Sequence, residues 1–137
     1  MTLLLLAATL LHAAPAKLGD AANWAAAKHA VTTVSPHIPA ALLVAIRYSE
    51  CPLRRWDYKA LGIKRGRGWW PGGLAGQYNK GADIVARHAT RHRWGPLAPT
   101  RAQVCHLGTH YAEGSTSWGA QVWALYQRAI RGGMVCE

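Results

Sequence analysis

Apolar positions recur with a helical period along most of the chain and lose that period in one central segment. From Ala21 to Val34, AANWAAAKHAVTTV is rich in alanine, the strongest helix former. It predicts a helix stopped by Ser35-Pro36, because a residue before proline is pushed out of the helical region. Pro39 can occupy the first turn of a second helix, whose apolar run ALLVAI leads to Glu50 before Pro52 blocks continuation. NKGADIVARHATRHRW puts Ala82, Val85, Ala86 and Ala89 at helical spacing and is ended by Gly95-Pro96. TRAQVCHLGTHYA predicts another short helix. Ser115 to Ser117 offer N-caps for WGAQVWALYQRAI, where Trp118, Val122, Leu125, Tyr126 and Ala129 form an apolar stripe before Gly132-Gly133.

The exception is LRRWDYKALGIKRGRGWWPGGLAGQ, which crowds Gly, Arg and Trp without a helical period and predicts loops or a small hairpin. There is no internal repeat and no linker. A chain of 137 residues, half of them hydrophobic, allows one domain with a modest core. The expected fold class is mainly α, with a short Gly-rich loop or hairpin lobe.

The N-terminus carries a different pattern. An apolar run from Leu3 to Leu11 precedes Ala14-Pro15-Ala16 and Lys17, the layout of a cleaved secretory signal over residues 1–16. Its n-region lacks Lys and Arg, and a buried N-terminal helix is the alternative. The run is too short for a stable membrane anchor. The mature domain is then 17–137, in an exported or cell-wall location. There, three cysteines (Cys51, Cys105 and Cys136) permit one disulfide and one leftover thiol, with the pairing open.

Charge narrows the partners. Sixteen Lys and Arg against six acids give a formal charge of +10, which favours polyanions such as nucleic acid, an anionic membrane or an acidic cell-wall polymer. Seven Trp and five Tyr with no Phe suit surfaces that grip polar ligands, since both rings carry a polar handle.

Among the six acids, Glu50 has the most apolar setting: Leu42, Leu43 and Ile46 lie eight, seven and four positions before it on one helix face. Burial and the partial negative charge of a helix C-terminus both disfavour its ionised form, which suits a general acid. The other placement is a helix-end residue in solvent, paired with Arg47 or Arg54. Position alone leaves both open.

A glutamate closing an apolar helix, then Leu61-Gly62-Ile63-Lys64, then Tyr111-Ala112 ahead of the last helix, resembles the lysozyme-like superfamily. The nearest branch is the bacterial endo-β-N-acetylglucosaminidases of the autolysin and flagellar type. The resemblance runs from about Ala40 to Arg128 and implies a small lysozyme-like domain that cleaves peptidoglycan glycan strands. It implies Glu50 as general acid and Tyr111 beside the reacting sugar. Trp69 and Trp70 would stack on sugar faces, with a pair of Trp covering the core under a loop as the alternative, and Lys64 would bind substrate. The implied enzyme is a monomer working on peptidoglycan and anionic cell-wall polymers, with no cofactor and no specific nucleic acid. The chain departs from the family where Cys51-Pro52 replaces the common Ser-Gly, and Glu113 stands where an Asp is frequent.

Glycosidases ordinarily flank the scissile bond with two carboxylates. Between Asp57 and Asp83 this chain has none, so the Gly-rich lobe supplies no second acid. The expectation is one-carboxylate chemistry, completed by the substrate's own N-acetyl group or 6-hydroxyl; a lytic transglycosylase outcome stays open.

Three other readings compete. His106, His110 and Glu113 fall at i, i+4, i+7, and His88 and His92 are four apart, so two His and a carboxylate would fit a metal. Neither pair has the Glu of HExxH, and the expectation is no metal. RHATRHRW makes a basic helix face that would suit phosphates, without a helix-turn-helix or zinc-finger pattern. The fold would also serve an inactive cell-wall-binding or virion structural protein.

Overall fold

The computed structural model describes residues 20–34, 37–49, 57–111 and 117–131. Five α-helices occur among them: α1 (Asp20–Val34), α2 (Ala40–Ser49), α3 (Gly73–Arg91), α4 (Arg101–Tyr111) and α5 (Trp118–Ile130). A single 3-10 turn at Asp57–Lys59 leads into an antiparallel hairpin, β1 (Lys64–Arg65) and β2 (Gly68–Trp69), with Lys64 opposite Trp69 and Arg65 opposite Gly68. The domain is mainly α with one small hairpin, as the periodicity predicts. Residues 1–16, expected to be a signal peptide, and Glu50, Cys51, Glu113 and Cys136 lie outside the described residues.

Helix α2 is the core. Every residue from Leu42 to Tyr48 is buried, so the helix is covered all round rather than along one stripe. Arg47 lies inside this run at 2% exposure, and it is engaged rather than free, as a buried guanidinium must be. Helix α2 packs on α5 and on α1, α1 packs on α3, and α4 packs on α5. The Tyr78 hydroxyl donates to Asn23 Oδ1 at 2.8 Å, joining α3 to α1 through two buried polar groups. Helices α4 and α5 approach so closely that a Cβ at Gly119 would lie 2.4 Å from Cys105 Cα.

Two helix boundaries and one helix cap depart from the sequence expectation. Helix α3 starts at Gly73, inside the stretch expected to be irregular. Glycine propensity argues against a helix at GLAGQ, and tertiary contacts override it. A Cβ at Gly76 would sit 1.9 Å from the Pro71 carbonyl oxygen, so the chain can turn into the helix there only with glycine. At the next residue, the buried Gln77 amide grips the lobe. Its Oε1 accepts from the N–H groups of Leu61 and Ile63, both at 3.1 Å, and its Nε2 donates to the carbonyls of Ile63 at 3.0 Å and Trp70 at 3.4 Å.

The same helix ends at Arg91, before Gly95-Pro96 is reached. Trp94 N–H donates to Ala89 O at 2.9 Å and Arg93 N–H to Thr90 O at 3.3 Å, the paired bonds of a Schellman motif. Arg93 takes the left-handed position, φ 56°, that glycine usually fills. Finally, Ser117 precedes α5 as expected, but its hydroxyl makes no cap bond. A reciprocal cap forms on α4 instead: Gln103 N–H donates to Thr100 Oγ1 at 3.2 Å, and Thr100 N–H donates to Gln103 Oε1 at 2.9 Å.

Replacing Gln77 by leucine keeps the side chain buried but strips partners from two buried N–H groups and a carbonyl. Unsatisfied buried polar groups cost about 1–3 kcal/mol each, so Gln77→Leu should destabilise the domain by about 3 kcal/mol or more in urea titrations. A loss below about 1 kcal/mol would show that the lobe is held by other contacts.

Candidate functional site

The residues proposed from sequence for substrate contact fall around the hairpin and the end of α4. Tyr111 is the last residue of α4 and half-buried. Its hydroxyl donates to the Leu61 carbonyl at 3.0 Å, and its ring stacks on Trp118 at 5.2 Å between centroids and 25° between planes. Leu61 opens the Leu61-Gly62-Ile63-Lys64 element, so two motifs separated by fifty positions meet at one hydrogen bond. The Trp70 N–H donates to Ile63 O at 3.0 Å, which closes the base of the hairpin and fixes both indoles beside the same element.

The indoles are only partly exposed, and cations lie against both. Lys64 Nζ lies 5.3 Å and Lys59 Nζ 5.4 Å from the Trp69 ring. Lys80 Nζ lies 4.5 Å and the Arg65 guanidinium 5.7 Å from the Trp70 ring. Each cation is attracted by the negative ring face, worth about 0.5–1 kcal/mol at exposed sites. The result is a patch of alternating aromatic faces and positive charge. Its chemistry suits a polymer that offers flat apolar faces and negative charge together.

The described acids are Asp20, Asp57 and Asp83. Asp57 is exposed at the head of the 3-10 turn. Asp83 sits on α3 between Lys80 Nζ and Arg87 Nε, both at 3.1 Å. Burial alone would raise its carboxyl, but the hydrogen bonds and charges of Lys80 and Arg87 outweigh burial and hold it below the ordinary carboxylate value. Asp83 is an ionised, paired group. Glu50 and Glu113 lie outside the described residues, and α2 is described up to Ser49, whose hydroxyl donates to Ile46 O at 2.6 Å.

A second constellation is one that sequence reasoning set aside. His88 on α3 and His92, the residue that caps its C-terminus, face His106 and His110 on α4, and all six ring pairs have centroids between 4.4 and 5.7 Å apart. His88 is buried, and the other three are exposed. Burial pushes His88 down to about 4, aided by the nearby His92, His106, His110 and Arg91. Loss of hydration among the rings, with the charges of His106, His110 and Arg91, also lowers His92. The signal was present as two His-x-x-x-His pairs. The facing of the two pairs is a tertiary fact and is not in either pair's spacing. It also turns His88 and His92 of RHATRHRW toward α4, leaving Arg87, Arg91 and Arg93 as that segment's solvent-facing charges.

A surface hollow of about 290 Å³ opens elsewhere, lined by His37, Ile38, Ala86, Thr90 and Trp94 among others. Its lining contains none of Tyr111, Trp69, Trp70 and Lys64, so it is not the sugar cleft expected from sequence. No helix among the described residues is long and apolar enough to cross a membrane. Compared with known proteins, the chain matches no family model, no curated protein and no solved structure.

The Asp83 assignment carries a pH signature. Its depressed carboxyl contributes stability that is present above the ordinary carboxylate value of 3.8 and is lost as pH falls through the lower folded-state value. Asp83→Asn should therefore cost under about 1 kcal/mol near neutrality, as expected for a partly exposed pair, and the cost should vanish in acid. Urea midpoints of both proteins from neutral pH downward check this; a constant offset at all pH values would mean that ionised Asp83 is not what stabilises.

Proposed function

We propose that the chain is a peptidoglycan hydrolase with a lysozyme-like fold that cuts the glycan strand in the manner of an N-acetylglucosaminidase. Glu50 is the general acid that protonates the departing glycosidic oxygen, and Tyr111 lines the cleft beside the reacting sugar. The observation that carries the reading is the Tyr111–Leu61 hydrogen bond, which joins the two motif elements that follow Glu50 in the chain.

Two further features support it. The hairpin patch of Trp69 and Trp70 with Lys59, Lys64, Arg65 and Lys80 offers ring faces for sugars and positive charge for anionic wall polymers. Asp83, bound in two ion pairs, is not available as a second catalytic acid, which fits one-carboxylate chemistry assisted by the substrate. In this reading residues 1–16 are removed on export, and the enzyme acts in the periplasm or at the cell wall as a monomer without a cofactor. A protein that only grips the wall, a virion or nucleic acid would use the same patch and release no sugar.

Glu50→Gln should abolish lysis of purified cell walls while leaving the melting temperature close to wild type. Asp57→Asn, by contrast, should keep most of the activity. Loss of a true second carboxylate costs on the order of 4 kcal/mol of transition-state stabilisation, so the two outcomes separate cleanly. Lysis by Glu50→Gln at near wild-type rate would end the proposal, and an inactive, folded Asp57→Asn would end its single-acid form.

A further inference from the structure

The four histidines between α3 and α4 serve no step of the proposed reaction, and they form a closed cluster. We infer that His88, His92 and His110 bind one late first-row divalent ion, of the zinc, nickel or copper kind, with His106 placed to supply a fourth nitrogen.

The geometry carries this. One ligand nitrogen from each of His88, His92 and His110 can be chosen so that all three lie within 4.8 Å of one another. Around a tetrahedral zinc at about 2.0–2.1 Å, ligand nitrogens stand roughly 3.3 Å apart. Closure by at most about 1.5 Å is within side-chain rotation of His92 and His110, which are exposed. The His106 ring is 4.5 Å from His92 and 5.1 Å from His88, inside the same cluster.

An independent observation points to a missing partner. Nε2 of His88 is buried and has no hydrogen-bond partner among the described residues, a costly state for a polar atom. A bound cation would accept its lone pair. The orienting contacts for a ligand are present as well: Nδ1 of His110 lies 3.1 Å from Thr109 Oγ1 and 3.4 Å from the His106 carbonyl oxygen. A proton on Nδ1 can donate to these oxygens and leave the Nε2 lone pair for a metal, the arrangement that commonly fixes a ligating imidazole. Trp94 closes over His88 edge-on at 5.7 Å.

Donor chemistry selects the ion. The cluster is all imidazole, with no carboxylate among the described ligand atoms, and imidazole suits Zn²⁺, Ni²⁺ and Cu²⁺, whereas Mg²⁺ and Ca²⁺ require oxygen. The ion would pin α3, which packs on α1, to α4, which packs on α5; the two helices touch each other only slightly apart from the histidines. It would also fix the end of α4, where Tyr111 follows His110.

The test is titration of the purified full chain with Zn²⁺ against a chromophoric chelator, with Mg²⁺ and Ca²⁺ as controls. The wild type should take up one equivalent of Zn²⁺, ignore Mg²⁺ and Ca²⁺, and melt several degrees higher with Zn²⁺ bound. The His92→Ala/His110→Ala variant removes two exposed ligands and spares buried His88, so it should fold. It should lose affinity by on the order of 100-fold and lose the melting shift. His29→Ala/His37→Ala, outside the cluster, should bind like wild type. No stoichiometric uptake by the wild type would overturn the site, as would undiminished binding by a folded His92→Ala/His110→Ala protein. Neither result depends on whether the chain cuts peptidoglycan.

Discussion

The Gln77 amide holds the Gly-rich lobe to the helical body. Four backbone groups of Leu61, Ile63 and Trp70 converge on its two polar atoms, all within 3.1 to 3.4 Å except one at 3.0 Å. A lobe with a two-stranded hairpin has too little ladder and too little apolar surface to persist alone. Tied at Gln77, it presents Lys64, Trp69 and Trp70 in a fixed relation to α3. The same tie sets the Leu61 carbonyl where Tyr111, coming from α4, can reach it. The candidate sugar surface is thus assembled from three chain segments around one side-chain amide.

That dependence explains which parts of the architecture were legible in the sequence. Helices α2 and α5 were readable because apolar residues at helical spacing bury along them: Leu42, Leu43 and Ile46 in one, Trp118, Val122, Tyr126 and Ala129 in the other. The start of α3 was not readable. Gly73, Gly76 and the polar Gln77 argue locally for a loop, and only the close approach of Pro71 and the demands of the lobe's backbone make them helical. The end of α3 was hidden for a related reason, since Arg93 occupies a backbone position where sequence reasoning looks for glycine.

The candidate site divides in the same way. Tyr111 and the Leu61–Lys64 element were singled out by motif order, and the structure brings them into contact. For Trp69 and Trp70 the sequence indicated aromatic surface but not the cations lying against it, which arrive from the 3-10 turn, β1 and α3. The histidines are the sharpest case. Each pair alone is a weak signal, and their meaning depends on α3 and α4 facing each other. Two candidate sites then share the last turns of α4: Tyr111 reaches Leu61 of the lobe, and His106 and His110 face His88 and His92.

Cleavage of a glycan strand at this surface is the proposed activity. Mass spectrometry of the soluble products from purified peptidoglycan, incubated with the wild-type chain, tests it most directly. A glycan-cleaving enzyme should release fragments severed between sugars, with their stem peptides and cross-links intact. Fragments severed only at peptide or amide bonds, or no soluble product from a folded protein, would contradict it.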